Sequence, residues 1–154
     1  MRTILLGQAP SAESDPERPL GPDGASGRRL ARLVGPAFEE AFELRNLLRA
    51  FPGKLAKGDA FPKTEARLAA AATIARLRGR RVVFLGRNVA EAFGFSWPEP
   101  LEWHQHVGFA AARLPHPSGI NTWWNDQKNV RAAAAFLRAE AERSCACRGM
   151  LSIA

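Results

Sequence analysis

The chain of 154 residues is long enough for one domain with a hydrophobic core, and 46% of its residues are hydrophobic. No stretch approaches the roughly 20 apolar residues of a membrane span, and the apolar run at the N-terminus breaks too early for a signal peptide. We therefore expect neither feature. The 22 Lys and Arg residues against 15 Asp and Glu residues give a net charge of +7, which favours a polyanionic partner, nucleic acid first. An arginine-rich genome is the alternative explanation.

Apolar runs and helix-forming segments alternate along the chain. The run at residues 2–6, closed by Gly7, predicts a buried first strand. Ser26 is placed to cap a helix that Gly35 and Pro36 end. The remaining predicted elements, in chain order, are a short helix at 38–42, a strand at 42–48, a helix at 63–78, a strand at 81–85, a helix at 88–93, a strand at 109–114 and a helix at 123–143.

This alternation predicts a three-layer α/β/α single domain around a central four-stranded, mostly parallel sheet. We assign residues 1–143 to this domain and residues 144–154 to a C-terminal tail. Ligands of such sheets bind outside the carboxyl ends of the strands. The segments expected there are GQAPSAES, NLLRAFPGK, GRN and HPSGINTWW, and the functional site is expected among them.

The cysteines and two of the three histidines give weak signals. Cys145 and Cys147 lie one residue apart, where a disulfide would be strained and two thiolates alone make a poor metal site. We therefore expect reduced thiols and a cytoplasmic location. We also expect a monomer. His104 and His106 in EWHQH could suggest a metal pair, but no third ligand is in view. An exposed loop is the preferred interpretation, and we expect no metal.

Taken together, the strand-end segments resemble the uracil-DNA glycosylase superfamily. GQAPS after the first strand is similar to the family's Gly-x-x-Pro turn, and HPSG after the last strand is similar to its His-Pro-Ser motif. RPLG, RNLLRAFPGK and VVFLGRNVAEAFG resemble, in order, three further segments of the shorter bacterial and archaeal enzymes. The resemblance runs through nearly the whole chain and implies this fold and a glycosylase that acts on DNA.

Several positions depart from the family pattern. The shorter enzymes hold an iron–sulfur cluster on four cysteines, whereas this chain has two, so we expect no cofactor. Ala9 stands where the best-known branch has a water-activating aspartate, and Ser11 stands where a tyrosine excludes thymine. Leu20 takes the place of the aromatic residue that stacks on uracil. These changes imply a looser base preference and a weakened site.

The resemblance implies roles for particular residues. His116 would stabilise the departing uracil anion at O2, Asn46 would recognise the base through its amide, and Gln8 would position water. A structural histidine and a polar residue at a strand end are the alternatives for His116 and Asn46. Glu13 and Asp15 could also activate water, or could be ordinary solvated acids. The residues assigned to base binding are Gly7, Ala9, Pro10, Ser11, Leu20 and Asn46.

A second group is assigned to the DNA strand. Ser118 could donate to a phosphate, and Ile120 or Trp123 could fill the space left by a flipped base. Alternatively, the tryptophans cap the last helix against the sheet, with Trp124 the core member of the pair. Arg29 lies among the basic residues near the site face. The residues assigned to DNA binding are Ser118, Gly119, Ile120, Trp123, Arg28, Lys54 and Lys57.

The resemblance therefore implies a DNA glycosylase that hydrolyses the N-glycosidic bond of a deaminated base, uracil first, without a cofactor. Two alternatives stay open. One is a catalytically weakened relative that binds DNA, a nucleobase or a nucleotide without cleavage. The other is a different hydrolase that uses the same strand-end loops.

Overall fold

The computed structural model describes residues 1–21, 24–56, 58–96, 99–106 and 108–149. Lys57 and residues 150–154 of the predicted tail lie outside these ranges. In chain order the elements are β1 (Thr3–Gly7), α1 (Ala25–Val34), α2 (Phe38–Ala41), β2 (Phe42–Asn46), β3 (Lys54–Leu55), β4 (Gly58–Asp59), α3 (Lys63–Ile74), β5 (Arg81–Leu85), α4 (Arg87–Ala92), β6 (His104–His106), β7 (Phe109–Leu114) and α5 (Gln127–Gly149). Short 3-10 helices occupy Ala75–Leu77 and Thr122–Asn125.

One sheet unites five of the described strands, in the order β2-β1-β5-β7-β6. The first four run parallel, and β6 pairs antiparallel with β7. The α/β class and the mostly parallel sheet are therefore confirmed. The predicted number of four strands is wrong, because His104–His106 forms an edge strand instead of an exposed loop. A separate two-stranded ribbon consists of β3 and β4.

Parallel pairing brings the loops after the strands to one edge of the sheet. Gly7 at the end of β1 pairs with Asn46 at the end of β2. Leu85 at the end of β5 pairs with Leu114 at the end of β7. Because these pairs lie at the last residues of their strands, the four loops that follow them start side by side.

The core lies on both faces of the sheet. In β5, Val82 and Phe84 pack into the cluster on one face, whereas Val83 and Leu85 pack into the cluster on the other. All four are fully or almost fully buried, which stabilises the fold by about 1.5–3 kcal/mol for each large side chain. Burial on both faces is the reason that this strand reads as a continuous apolar run.

The start of α1 differs from the prediction. Gly24 is the N-cap and no side chain caps the helix, so Ser26 lies inside it. A side chain at Gly27 would place its Cβ 2.1 Å from the carbonyl oxygen of Gly21 and 2.2 Å from that of Leu20. The RPLG turn thus packs directly on the first turn of α1, which only a glycine permits. This close contact, and not a serine cap, determines how the helix begins.

The predicted helix at 123–143 is divided into two elements. Thr122–Asn125 forms a 3-10 turn, which Asn121 caps by accepting a hydrogen bond from the backbone N–H of Trp123. The α-helix α5 then starts at Gln127 and continues past Arg143 into the residues predicted as a tail. Among the described residues, no helix has the length and the apolar character needed to cross a membrane.

A buried carboxylate attaches α5 to the sheet. Glu140 accepts hydrogen bonds from the Thr3 hydroxyl (3.0 Å), from Arg81 (2.6 and 3.1 Å) and from Arg143 (2.9 Å). Burial alone would raise the pKa of Glu140, but the hydrogen bonds and charges of the two arginines outweigh it and lower that pKa. The ionised form of Glu140 therefore stabilises the packing of α5 against β1 and β5.

Candidate active site

A cavity of about 770 Å³ lies at the carboxyl edge of the parallel strands. Its walls are the loops that follow β1, β2 and β7, the first turn of α1 and the ribbon β3–β4. Every residue predicted for catalysis or base binding lines it. These residues are Gly7, Gln8, Ala9, Pro10, Ser11, Leu20, Asn46 and His116.

His116 is held in one orientation by the loop that carries it. Its Nδ1 accepts a hydrogen bond from the backbone N–H of Ser118 at 3.2 Å. Its carbonyl oxygen accepts from the Asn121 amide at 3.2 Å and from Nε1 of Trp124 at 2.8 Å. Because Nδ1 is an acceptor, the neutral ring carries its proton on Nε2. His116 can therefore donate a hydrogen bond through Nε2.

The charge state of His116 follows from its surroundings. Burial lowers the pKa of the imidazole below its ordinary value near 6.5, and the negative charge of Asp59 opposes this shift. Burial is the larger effect, so the ring is neutral at pH 7. A neutral imidazole at this position is a hydrogen-bond donor without a permanent charge.

Gly86, which directly follows β5, leaves space for the side chain of His116. Its φ is 98°, a backbone conformation that side chains rarely adopt. A Cβ there would lie 3.1 Å from Cβ of His116 and 3.5 Å from Nε2 of Gln8. Both Gln8 and His116 therefore pack over a position that has to be glycine.

Asn46 presents a polar group that has no hydrogen-bond partner in the described part of the protein. Its Oδ1 is buried and makes no hydrogen bond. A Cβ on Gly7 would lie 2.7 Å from this oxygen, so the amide rests against the bare backbone of the neighbouring strand. A buried, unsatisfied oxygen costs about 1–3 kcal/mol. A ligand N–H that reaches this amide would offset that cost.

Leu20 adopts a left-handed backbone conformation, with φ of 54°. Its Cδ2 lies 3.1 Å from the Cβ position of Gly7, so the side chain packs against the same backbone as Asn46. Few non-glycine residues adopt this conformation, and it persists only where the surroundings impose it. The close packing of the RPLG turn on Gly27 is such a surrounding.

Of the residues predicted to position or activate water, Gln8 and Glu13 lie at the cavity and Asp15 does not. Gln8, Glu13 and Ala9 line the cavity. Asp15 is not part of the wall, and its carboxylate accepts a hydrogen bond from the backbone N–H of Glu17 at 2.9 Å. Asp59 at the end of β4 does line the cavity, and the sequence prediction missed it. The only local signal was the Gly-Asp pair, which is typical of turns.

The residues predicted to bind DNA divide into two groups. Ser118, Gly119, Ile120 and Arg28 line the cavity, and Ile120 is 82% exposed. Trp123 is partly buried instead, with its ring 4.8 Å from that of Trp124 in an edge-on contact, and it lines an adjacent cavity of about 540 Å³. Lys54 is exposed on β3 but is not part of the wall. Lys57 lies outside the described residues.

Trp124 and Arg29 both make contacts within the protein. Trp124 is buried, as predicted for the core member of the pair. Arg29 donates to the carbonyl oxygen of Ser118 at 3.0 Å and lies 5.3 Å from the ring centroid of Trp124. Arg29, one of the basic residues expected near the site face, thus joins α1 to the His-Pro-Ser loop through its guanidinium.

Metal-binding side chains do not gather in the described residues. No group of three or more His, Cys, Asp or Glu side chains could hold an ion there. His106 packs between Phe95 and Phe109, with ring centroids 4.7 and 4.9 Å away. The two cysteines of the chain both lie in α5 and cannot supply the four thiolates of an iron–sulfur cluster.

Comparison with known families agrees with this geometry. The pattern of the uracil DNA glycosylase superfamily matches residues 1–139, which contain every residue of the cavity wall. Comparison with curated proteins found no match. Members of this superfamily are generally hydrolases that cleave glycosidic bonds in DNA. The arrangement of Gln8, Asn46 and His116 at the carboxyl edge and the extent of the match lead to one conclusion: the chain belongs to the uracil-DNA glycosylase superfamily.

Proposed function

We propose that the protein is a DNA glycosylase that hydrolyses the N-glycosidic bond of a deaminated base, uracil first, as a step of base excision repair. The observation that carries the proposal is the convergence of Gln8, Asn46 and His116 on one cavity from the ends of three parallel strands. The cavity is also large enough for a base with its sugar.

Asn46 is proposed to recognise the base. Its buried Oδ1 without a partner would accept from N3–H of uracil, and its NH₂ group would donate to O4. Leu20 would cover the ring of the bound base with an aliphatic side chain. Such a contact depends less on the shape of the base than stacking on an aromatic residue does. Ser11 leaves open the space that a tyrosine would close. We therefore propose a looser base preference than that of a strict uracil enzyme.

His116 is proposed to stabilise the leaving group. As the bond between N1 and C1′ breaks, its electron pair moves into the ring and negative charge develops at O2. The Nε2–H of the neutral imidazole, set by the contact with Ser118, would donate to that oxygen. Preorganised donors of this kind contribute roughly 10²–10³ in kcat.

The exposed residues of the HPSG loop are proposed to hold the opened DNA. Extrusion of a nucleotide costs a few kcal/mol, which contacts to phosphates and a wedge side chain would offset. Ile120, largely exposed at the cavity rim, is the wedge. Ser118 and Arg28 are placed for phosphates, and the net charge of +7 favours the strand as a whole. Trp123 and Lys54 would contact flanking DNA outside the cavity.

A cleavage assay tests this function directly. Labelled oligonucleotides, single-stranded and duplex, carry one uracil, one hypoxanthine or only ordinary bases, and are treated with alkali after incubation. We expect strand breaks at the modified base with the wild-type protein and with His104→Ala, and cleavage slower by roughly 10²–10³ with His116→Ala. His104 is a suitable control because it lies on the edge strand β6, outside the cavity wall. Cleavage by His116→Ala at the wild-type rate would refute the role of His116.

A second function, binding without cleavage, is favoured by Ala9. The residue lines the cavity where the resemblance places a water-activating aspartate. Intact strands together with a gel shift specific for uracil-bearing or abasic DNA would establish this alternative. We further propose that the protein acts as a monomer in the cytoplasm, where exposed Cys145 stays a free thiol.

A further inference from the structure

The cavity wall contains an acid, Asp59, that the sequence analysis did not assign to the site. Among the described residues, the acidic side chains of the wall are Glu13 and Asp59. Of these two acids, Asp59 is the one whose negative charge raises the pKa of His116, against the larger effect of burial. Asp59 is therefore the wall acid whose charge acts on His116, the residue predicted to donate a hydrogen bond to the departing base.

The ribbon β3–β4 holds Asp59 in place. Asp59 pairs with Lys54 across the ribbon, and the backbone N–H of Ala60 donates to the carbonyl oxygen of Gly53 at 2.8 Å. The ribbon lies close to the loop that carries His116, since a Cβ built on Gly58 would lie 4.0 Å from Cδ1 of Ile120. The acid and the histidine thus belong to two loops that meet at the rim of one cavity.

The carboxylate of Asp59 is available to a ligand. Within the described part of the chain it forms no hydrogen bond and no ion pair with another side chain. It is exposed to water at the cavity wall. A carboxylate with unused acceptor positions beside a site for an anionic leaving group is suited to binding and deprotonating a water molecule.

We propose that Asp59 is the catalytic residue that activates the attacking water, in place of the acid that is missing at Ala9. The inference rests on the proposed glycosylase function. The water oxygen forms a bond to C1′ while the bond from C1′ to N1 breaks, and the electron pair of that bond leaves with the base. The water proton passes to Asp59, and the base anion, held by His116, later takes up a proton.

The charged groups around Asp59 come from each neighbouring element. Lys54 lies opposite it on β3. From the other walls of the cavity come Glu13 and Arg18 in the loop after β1, Arg28 on α1 and His116 after β7. Four of these five groups are cationic or neutral, so ionised Asp59 is not crowded by negative charge.

Single-turnover cleavage of a uracil-bearing oligonucleotide tests the assignment. We expect Asp59→Asn to lower the rate by roughly 10²–10⁴, the range of general base catalysis. Binding to the same oligonucleotide, measured by gel shift, should not weaken. Glu65→Gln, which removes an exposed acid on α3 outside the cavity wall, should cleave like the wild type.

Three results would overturn the assignment. Asp59→Asn could cleave at the wild-type rate, it could lose activity only through weaker binding, or Glu13→Gln could cause the loss instead. A wild-type protein that releases no base from any substrate contradicts the glycosylase function itself. If the wild-type protein cleaves and Asp59→Asn cleaves equally well, the glycosylase function stands and only the role of Asp59 is refuted.

Discussion

The backbone N–H of Ser118 donates to Nδ1 of His116 at 3.2 Å, and this one contact selects the tautomer of the ring. Together with burial, which lowers the pKa of His116 against the opposing charge of Asp59, it predicts a neutral, Nε2-protonated imidazole at pH 7. Nitrogen-15 NMR of the histidine side chains should show this tautomer and a titration midpoint below about 6.5. A ring protonated on Nδ1, or one charged at pH 7, would contradict the proposed role as a donor to O2.

Gly86 and Gly94 form a matched pair for the packing of the site. Both have positive φ, 98° and 80°, but a Cβ at Gly94 meets no atom within 4 Å, whereas a Cβ at Gly86 lies 3.1 Å from His116. Alanine at either position should lower the free energy of unfolding by about 1–3 kcal/mol because of backbone strain. Only Gly86→Ala should also slow base release, because it displaces His116. Equal rates in the two variants, measured beside urea unfolding, would argue against this packing role.

Asn46→Ala separates recognition from structure. Because the buried Oδ1 makes no hydrogen bond, its removal should not lower the free energy of unfolding, while cleavage of uracil-bearing DNA falls steeply. Asn129→Ala is the comparison, since that amide donates to the carbonyl oxygen of Trp123 at 3.0 Å. It should reduce stability and leave base choice unchanged. An Asn46→Ala protein that is destabilised but still discriminates among bases would indicate a purely structural amide.

Leu20→Phe tests whether the side chain at this position packs over the bound base. The left-handed φ of 54° strains phenylalanine and leucine to a similar degree, so the folded protein should be retained. An aromatic ring over the bound base adds stacking of about 1–3 kcal/mol per base. We expect tighter binding of uracil and a narrower choice between uracil and hypoxanthine, measured by competition between the two oligonucleotides. An unchanged ratio would show that Leu20 does not cover the base.

Glu140 makes the stability of the fold sensitive to acid. Its pKa in the folded protein lies below the ordinary value near 4.5, so its stabilisation is present above pH 4.5 and is lost as the pH falls through the folded pKa. Glu140→Gln should reduce the free energy of unfolding by about 1–3 kcal/mol at pH 7 and weaken its dependence on pH below 4.5. Exposed Glu142 on the same helix provides the control variant, Glu142→Gln. An equal effect of the two substitutions would refute the buried ion-pair account.

The parallel strands, and the position of Gln8, Asn46 and His116 at one cavity, could be predicted because they depend on short-range signals. The apolar runs of β1 and β5 end at glycines, and parallel strands must release their loops at one edge, which brings Gln8, Asn46 and His116 together. The resemblance then supplied the expected roles. The order of these elements in the chain was sufficient to predict the location of the cavity.

The features that escaped prediction depend on distant contacts. β6 consists of His, Gln and His, which carry no apolar pattern, and it becomes a strand by pairing with β7. Asp59 lies in a ribbon whose strands have two residues each, too short for any periodicity. Its relation to His116 arises only when the ribbon meets the HPSG loop. The start of α1 likewise depends on the close contact of Gly27 with the RPLG turn.

The most direct measurement of the central claim is mass spectrometry of a uracil-bearing oligonucleotide after incubation with the protein. A glycosylase predicts free uracil and a strand whose mass has fallen by that of uracil and risen by that of water. Both products should form roughly 10²–10³ times more slowly with His116→Ala. An unchanged strand, even one that the protein binds, would contradict the proposed hydrolysis. A strand cut in its backbone with uracil still attached would contradict it equally.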